Sequence, residues 1–228
     1  DYILATKVGM KVGEAPEDEN TSPEAIRIQL RRSLVRMRTD YVDVYYLHRY
    51  DPDTEPHAVA RAMGEELRAG TIRAWGVSNY TAAQLAALLA AAADEGVPAP
   101  ALCQPALSML NTGALEELLP LCEKEGVGVV PYQLLQGGML TGKYRRGQEA
   151  PAGSRLAEKP EWMKPFTDET YDVIERCAAE AAAEEAFLEL PRLADDAASE
   201  EEAEPALEPF ALDEPDFEVD YRLWLIEY

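Results

Sequence analysis

One unit recurs along this chain: a short run of β-branched and aromatic residues, a loop, then an amphipathic helix. The runs begin at Tyr2 (YILAT), Tyr41 (YVDVYYL), Ile72 (IRAWGV), Ala101 (ALCQ) and Val127 (VGVV), and their starts lie 39, 31, 29 and 26 residues apart. That spacing leaves room for a crossover helix between successive strands and is too long for hairpins. Strands joined in this way run parallel, with helices packed over them. A closed (β/α) barrel and an open doubly wound sheet both satisfy the pattern. No GxGxxG follows any of the runs, which weighs against a dinucleotide-binding open sheet and leaves the barrel ahead.

The intervening segments carry helix signals. Ser22-Pro23 reads as an N-cap with proline at the first helical position, after which Ile26, Leu30, Leu34 and Met37 share a face. Thr81 with Gln84 forms a capping box ahead of Leu85, Leu88 and Leu89. Gly70, Gly96 and Gly126 stand where helices stop. A further helix begins near Thr167, with Tyr171, Val173, Ile174 and Cys177 along it.

In a barrel of parallel strands, chemistry gathers at the C-terminal strand ends. Here those ends are polar. Lys7 follows the first strand, His48-Arg49 the second, Ser78-Asn79 the third, Gln104 the fourth and Tyr132-Gln133 the fifth. A lone histidine at a strand end is usually structural. Five polar termini converging on one mouth point to a functional site.

Charge divides the chain. Of 228 residues, 43 are acidic and 21 basic, for a net charge of -22. Residues 191–228 hold 13 of the acids and 2 of the bases, half the net charge. A partial barrel over 1–190 and an acidic Glu/Ala/Pro-rich tail over 191–228 are therefore expected, the latter too poor in apolar surface to offset its ordering entropy. Within that tail, Phe217 to Tyr228 alternates apolar and charged residues and could form a short edge strand or remain disordered. So acidic a chain repels phosphate backbones and anionic lipid, so neither nucleic acid nor a membrane is an expected partner. Three cysteines without CxxC spacing suggest no disulfide framework and no metal site. With no targeting segment or long apolar run evident, a cytoplasmic location is the expectation.

Five stretches together resemble the aldo-keto reductase superfamily: ATKVG (5–9), TDYVDVYYLHRYDPDT (39–54), RAGTIRAWGVSNYTAAQL (68–85), QPALSMLN (104–111) and LLPLCEKEGVGVVPYQLLQGGMLTGKY (118–144). The likeness leans toward the branch of bacterial aldo-keto reductases and potassium channel β subunits, and runs in order from residue 2 to about residue 176. It implies a TIM (β/α)8 barrel, here incomplete at about five strands, that binds NADPH without a Rossmann fold and reduces aldehydes or ketones. By family position Lys7 is the ammonium that lowers the pKa of a catalytic tyrosine, and His48 orients the substrate carbonyl. Ser78, Asn79 and Gln104 match residues that hold the nicotinamide carboxamide, and Tyr132 the aromatic that stacks on its ring. Gln133, Leu134, Leu135 and Gly137 fall in the loop against the pyrophosphate. Lys143 and Arg155 fall where cations meet the adenosine phosphates.

The chain also departs from that pattern. The family draws its catalytic tyrosine and a supporting aspartate from positions upstream of the strand that ends in Lys7, and this sequence opens on that strand. Ala106 and Leu107 stand where relatives often carry a polar residue and a tyrosine, and YQLLQGG replaces YSPLAGG. Two readings follow. One is a fragment of an NADPH-dependent reductase with impaired or no activity. The other is a non-catalytic nucleotide-binding or regulatory module, similar to channel β subunits, with a protein partner covering the open barrel edges.

Overall fold

The five apolar runs become five parallel strands, β1 (Ala5–Val8), β2 (Val42–Leu47), β3 (Ile72–Ser78), β4 (Leu102–Gln104) and β5 (Gly128–Val129), hydrogen-bonded in the order β1-β2-β3-β4-β5. These assignments come from a computed structural model, which describes residues 2–164 and 166–195. Strand order that follows chain order, with a helix after each strand, is the winding of a (β/α) barrel and not of a doubly wound sheet, whose order reverses at a switch point. The chain divides into two compact units, with the sheet in the first and the break after Leu134.

Each helix of the first unit forms for local reasons. In α1 (Pro23–Met37) the Ser22 hydroxyl accepts the amide of Ala25 at 3.2 Å, and Ile26, Leu30 and Leu34 are buried. Helix α2 (Pro56–Ala69) ends on Gly70 at φ 74°. Helix α3 (Ala82–Asp94) opens with the expected reciprocal pair, Thr81 N to Gln84 Oε1 at 2.9 Å and Gln84 N to Thr81 Oγ1 at 3.3 Å. Helix α4 (Leu118–Glu125) stops at Gly126, φ 68°.

The first strand starts three residues later than the YILAT run indicates. Asp43 is the reason. Its carboxylate accepts the Leu4 amide at 2.9 Å, while the Leu4 carbonyl takes the amides of Asp43 and Val44 at 2.8 and 3.1 Å. Leu4 is thus held to β2 both by its own carbonyl and by the Asp43 carboxylate, ahead of the first paired residue, Ala5, and Tyr2 stays exposed.

Register assigns the two faces of the sheet, because paired residues on neighbouring strands point the same way. Val8 pairs with Leu47, Leu47 with Val77 and Val77 with Cys103. All four are buried with Ile26, Met63, Leu85 and Cys122 in the core between sheet and helices. The other face carries Lys7, Tyr46 and Gly76, then Ser78 paired with Gln104.

The second unit, from Leu135 on, holds a short helical segment (Gln136–Thr141), a single turn α5 (Arg155–Glu158) and the long α6 (Asp168–Asp195). Thr167 caps α6, accepting the amide of Thr170 at 3.2 Å. The expected acidic tail begins inside α6 at 191, and residues 196–228, with the alternating Phe217 to Tyr228 stretch, lie outside the described residues. No described helix is long and apolar enough to cross a membrane.

Candidate functional site

At the C-terminal edge of the sheet the polar residues on the face away from the helices come together. Lys7 sits beside Tyr46 in register, and the His48 amide extends the ladder to the Val8 carbonyl at 2.8 Å. His48 lies two residues beyond Tyr46 and therefore on the same face. Both Lys7 and His48 are half-buried. Burial, then the positive charges of Lys7 and Arg49, hold the imidazole below its ordinary pKa. A neutral imidazole, able to donate one hydrogen bond and accept another, is the result near neutral pH.

The third strand supplies the centre of the site. Ser78 is buried and donates to the Gln104 carbonyl at 2.8 Å. Asn79 then turns the chain out of the sheet at φ 58°, a left-handed conformation that asparagine tolerates better than most residues. Its amide ties three elements together. Nδ2 donates to the His48 carbonyl at 2.8 Å and to Ser78 Oγ at 3.1 Å, while Oδ1 accepts the Tyr132 phenol at 2.5 Å. Tyr132 is itself placed by backbone bonds, its amide to Pro105 O at 2.9 Å and its carbonyl from the Leu107 amide at 3.2 Å. Burial raises its phenol pKa, partly offset by the bond to Asn79, so the phenol is a proton donor at neutral pH. Gln104 is buried, and Gln133 and Leu134 are exposed, Gln133 at φ 58°.

The segments after β2 and β3 brace this arrangement. Tyr50 and Tyr80 meet edge to face with centroids 5.6 Å apart. Asp51 accepts Thr54 Oγ1 at 2.7 Å and the Thr21 amide at 2.9 Å. Burial acts to raise its carboxyl pKa, but the hydrogen bonds it receives prevail and hold it below the ordinary value. Arg49 binds the Gly9 carbonyl at 3.0 Å and Glu19 at 2.9 Å. Sequence reasoning named Arg49 only as a strand-end residue and assigned Asp51 nothing, although the run HRYDPDT contains both. It also passed over Tyr46, which strict alternation from His48 would have found.

The second unit contains its own cationic corner. Gln136, Gly137 and Gly138 take positive φ in succession, 48°, 66° and 94°. A Cβ at Gly138 would lie 2.8 Å from Lys143 Nζ, and one at Gly137 would lie 3.6 Å from Arg155 Nη1. Gly138 thus lets the Lys143 ammonium approach the main chain, while at Gly137 the nearer neighbour is Met163 Sδ at 3.0 Å and Arg155 lies at ordinary contact distance. Leu135, at the start of this unit, is exposed. Of the residues the sequence singles out, Lys7, His48, Ser78, Asn79, Gln104 and Tyr132 gather in the first unit, while Gly137, Lys143 and Arg155 gather in the second. Among the described residues no group of acidic, cysteine or histidine side chains could hold a metal ion.

Comparison with known proteins agrees with this architecture. The Aldo/keto reductase family matches residues 1–200. A probable voltage-gated potassium channel subunit beta of Oryza sativa is 35% identical over 158 residues, covering 69% of this chain and 48% of that protein. The NADH-specific methylglyoxal reductase of Escherichia coli K12 is 35% identical over 148 residues, 64% of this chain and 43% of that protein. The solved structure of the glycerol dehydrogenase AKR11B4 from Gluconobacter oxydans superposes with a TM-score of 0.61 at 28% identity, covering 76% of this chain and 53% of its own. The chain spans about half the length of the curated relatives it matches.

Proposed function

The chain belongs to the aldo/keto reductase family, and from that premise we propose that it binds NADPH and carries part of the machinery for reducing an aldehyde or ketone to an alcohol. The observation that carries this reading is the set Ser78, Asn79, Gln104 and Tyr132, which places a hydroxyl, two side-chain amides and an aromatic ring on adjacent strand ends. That donor and acceptor set fits a carboxamide on a flat ring. The glycine-floored corner with Lys143 and Arg155 separately fits an anionic phosphate, and a guanidinium suits a 2'-phosphate. NADPH would supply the hydride for the carbonyl carbon.

The chain's own residues would do the rest of what is available here. Neutral His48 would donate a hydrogen bond to the substrate oxygen and orient the carbonyl. Lys7 would hold a positive charge beside that oxygen and depress the pKa of any phenol placed against it. Tyr46, in register with Lys7, does not serve as that phenol, because burial pushes it up to about 12. No other tyrosine of the sequence matches the family's proton-donating position. The 228-residue chain alone is therefore proposed to bind the cofactor without completing the reduction.

A role in nucleotide binding alone, without catalysis, is the second reading. The likeness to a probable voltage-gated potassium channel subunit beta, which covers 69% of this chain, is what favours it. The test is a titration of the purified chain with NADPH and with NADH, followed by nucleotide fluorescence, alongside an assay with small aldehydes. Saturable binding, tighter for NADPH and without turnover, is expected. An absence of binding to both nucleotides would overturn the proposal.

A further inference from the structure

Helix α1 and its C-cap hold Arg27, Arg31, Arg32, Arg36 and Arg38, five of the chain's 21 basic residues within 12 positions, beside a single acid, Glu24. Three of the five are engaged inside the fold. Arg27 pairs with Glu65, Arg32 with Glu17 and Asp18, and Arg36 donates to Ser33 Oγ at 3.1 Å. Arg31 and Arg38 are exposed, and among the described residues neither side chain makes a hydrogen bond or an ion pair. Between them stands Val35, 77% exposed. The spacing i, i+4, i+7 puts these three along one side of the helix.

We infer that this face of α1 is the docking surface of the chain's own acidic segment, residues 196–216, which lies outside the described residues. The segment carries nine acids, no base, and the apolar residues Leu207, Phe210 and Leu212. It offers carboxylates, which a guanidinium grips through two parallel hydrogen bonds, and apolar side chains to cover Val35. Tethering decides between this occupant and others. A chain of net charge -22 repels separate acidic proteins, nucleic acid, anionic lipid and its own second copy. A segment of the same chain is already present at an effective concentration on the order of millimolar. Its 21 residues span up to about 70 Å when extended, well over the roughly 30–40 Å width of a domain the size of the first unit. Exposed ion pairs of this kind are individually weak, so the contact is sensitive to salt.

This inference rests on no part of the cofactor reading, and its test leaves that reading untouched. Arg31→Lys with Arg38→Lys keeps both charges and supplies amines, which a zero-length carbodiimide joins to carboxylates in contact with them. In the full chain at low salt, peptide mapping of the monomer is expected to find positions 31 and 38 joined to acids of 196–216. Those links are expected to fall by about threefold or more in about 0.5 M sodium chloride. Links confined to acids outside 196–216 overturn the proposal. So do links to the segment found only in crosslinked dimers, which make the occupant a second copy. Should the lysine variant fail to fold, phenylglyoxal modification of the native arginines decides the matter. Arg31 and Arg38 are expected to react about twofold or more faster in the full chain carrying Glu200→Gln, Glu201→Gln, Glu202→Gln and Glu204→Gln than in the wild type. Equal rates reject the docking.

Discussion

Arg49 donates through Nε to the carbonyl of Gly9 at 3.0 Å, so the residue after His48 grips the turn that follows Lys7. The two strand ends bearing the candidate catalytic side chains are joined by this bond as well as by ladder pairing. The same guanidinium is one of the two positive charges that hold the His48 imidazole below its ordinary pKa, after burial.

Removing that charge should let the imidazole titrate at higher pH. In Arg49→Ala the His48 ring-proton NMR titration is expected to move upward toward the ordinary value of about 6.5. His57, on α2 and facing Asp94 at 3.3 Å, is the second histidine and serves as the internal reference. An unmoved His48 titration would remove Arg49 from the electrostatics of the site.

Folding lowers this pKa, which fixes the sign of a stability effect. The neutral imidazole is the form the fold favours. Its contribution is complete above about pH 6.5 and is lost as the pH falls through the lower folded value. The urea midpoint of the wild type should therefore drop between about pH 7 and pH 5, and His48→Gln should show a shallower drop across that interval. Parallel profiles for the two proteins would contradict the assignment.

Gly76 is fixed by close approach. A Cβ there would lie 2.6 Å from the Leu102 carbonyl and 2.7 Å from Tyr46 Cε1. The carbonyl belongs to a neighbouring strand and cannot move without disturbing the ladder. Gly76→Ala is expected to destabilise the chain by about 1–3 kcal/mol in urea denaturation, and a change below about 0.5 kcal/mol would show that the sheet gives way more easily than this packing implies.

The thiols differ in access. Cys103 and Cys122 are wholly buried against each other's elements, and burial pushes Cys103 up to about 12. Cys177, on α6, is partly exposed. Brief alkylation of the native chain, read by mass spectrometry, should modify Cys177 and leave the other two until denaturant is added.

Much of the sheet was legible because parallel strands buried by helices leave long apolar runs at crossover spacing, and all five runs became strands. The caps at Ser22, Thr81, Gly70 and Gly126 were legible for a related reason: each is set by a local conformational need that only a few residue types meet. The edges were harder to place. Leu4 joins β2 through the Asp43 carboxylate, a side-chain contact across 39 positions that no local pattern announces. The site shows the same division. Lys7, His48, Ser78 and Gln104 could be placed by counting to strand ends, and in the sheet Ser78 pairs with Gln104 while Lys7 pairs with Tyr46, two residues before His48. The bond between Tyr132 and Asn79 depends on how two loops leave different strands, with Asn79 in a left-handed turn. Nothing in periodicity records such an angle.

The strand ends of the first unit are proposed to receive the nicotinamide end of the cofactor. Hydrogen exchange on the full chain, with and without saturating NADPH, tests it most directly. Slowed exchange is predicted at the amides of Asn79 and Tyr80, Ala106 to Ser108, and Tyr132 to Leu134, with α2 and α3 unchanged. Protection confined to helices, or none at these strand ends while NADPH is bound, would contradict the claim.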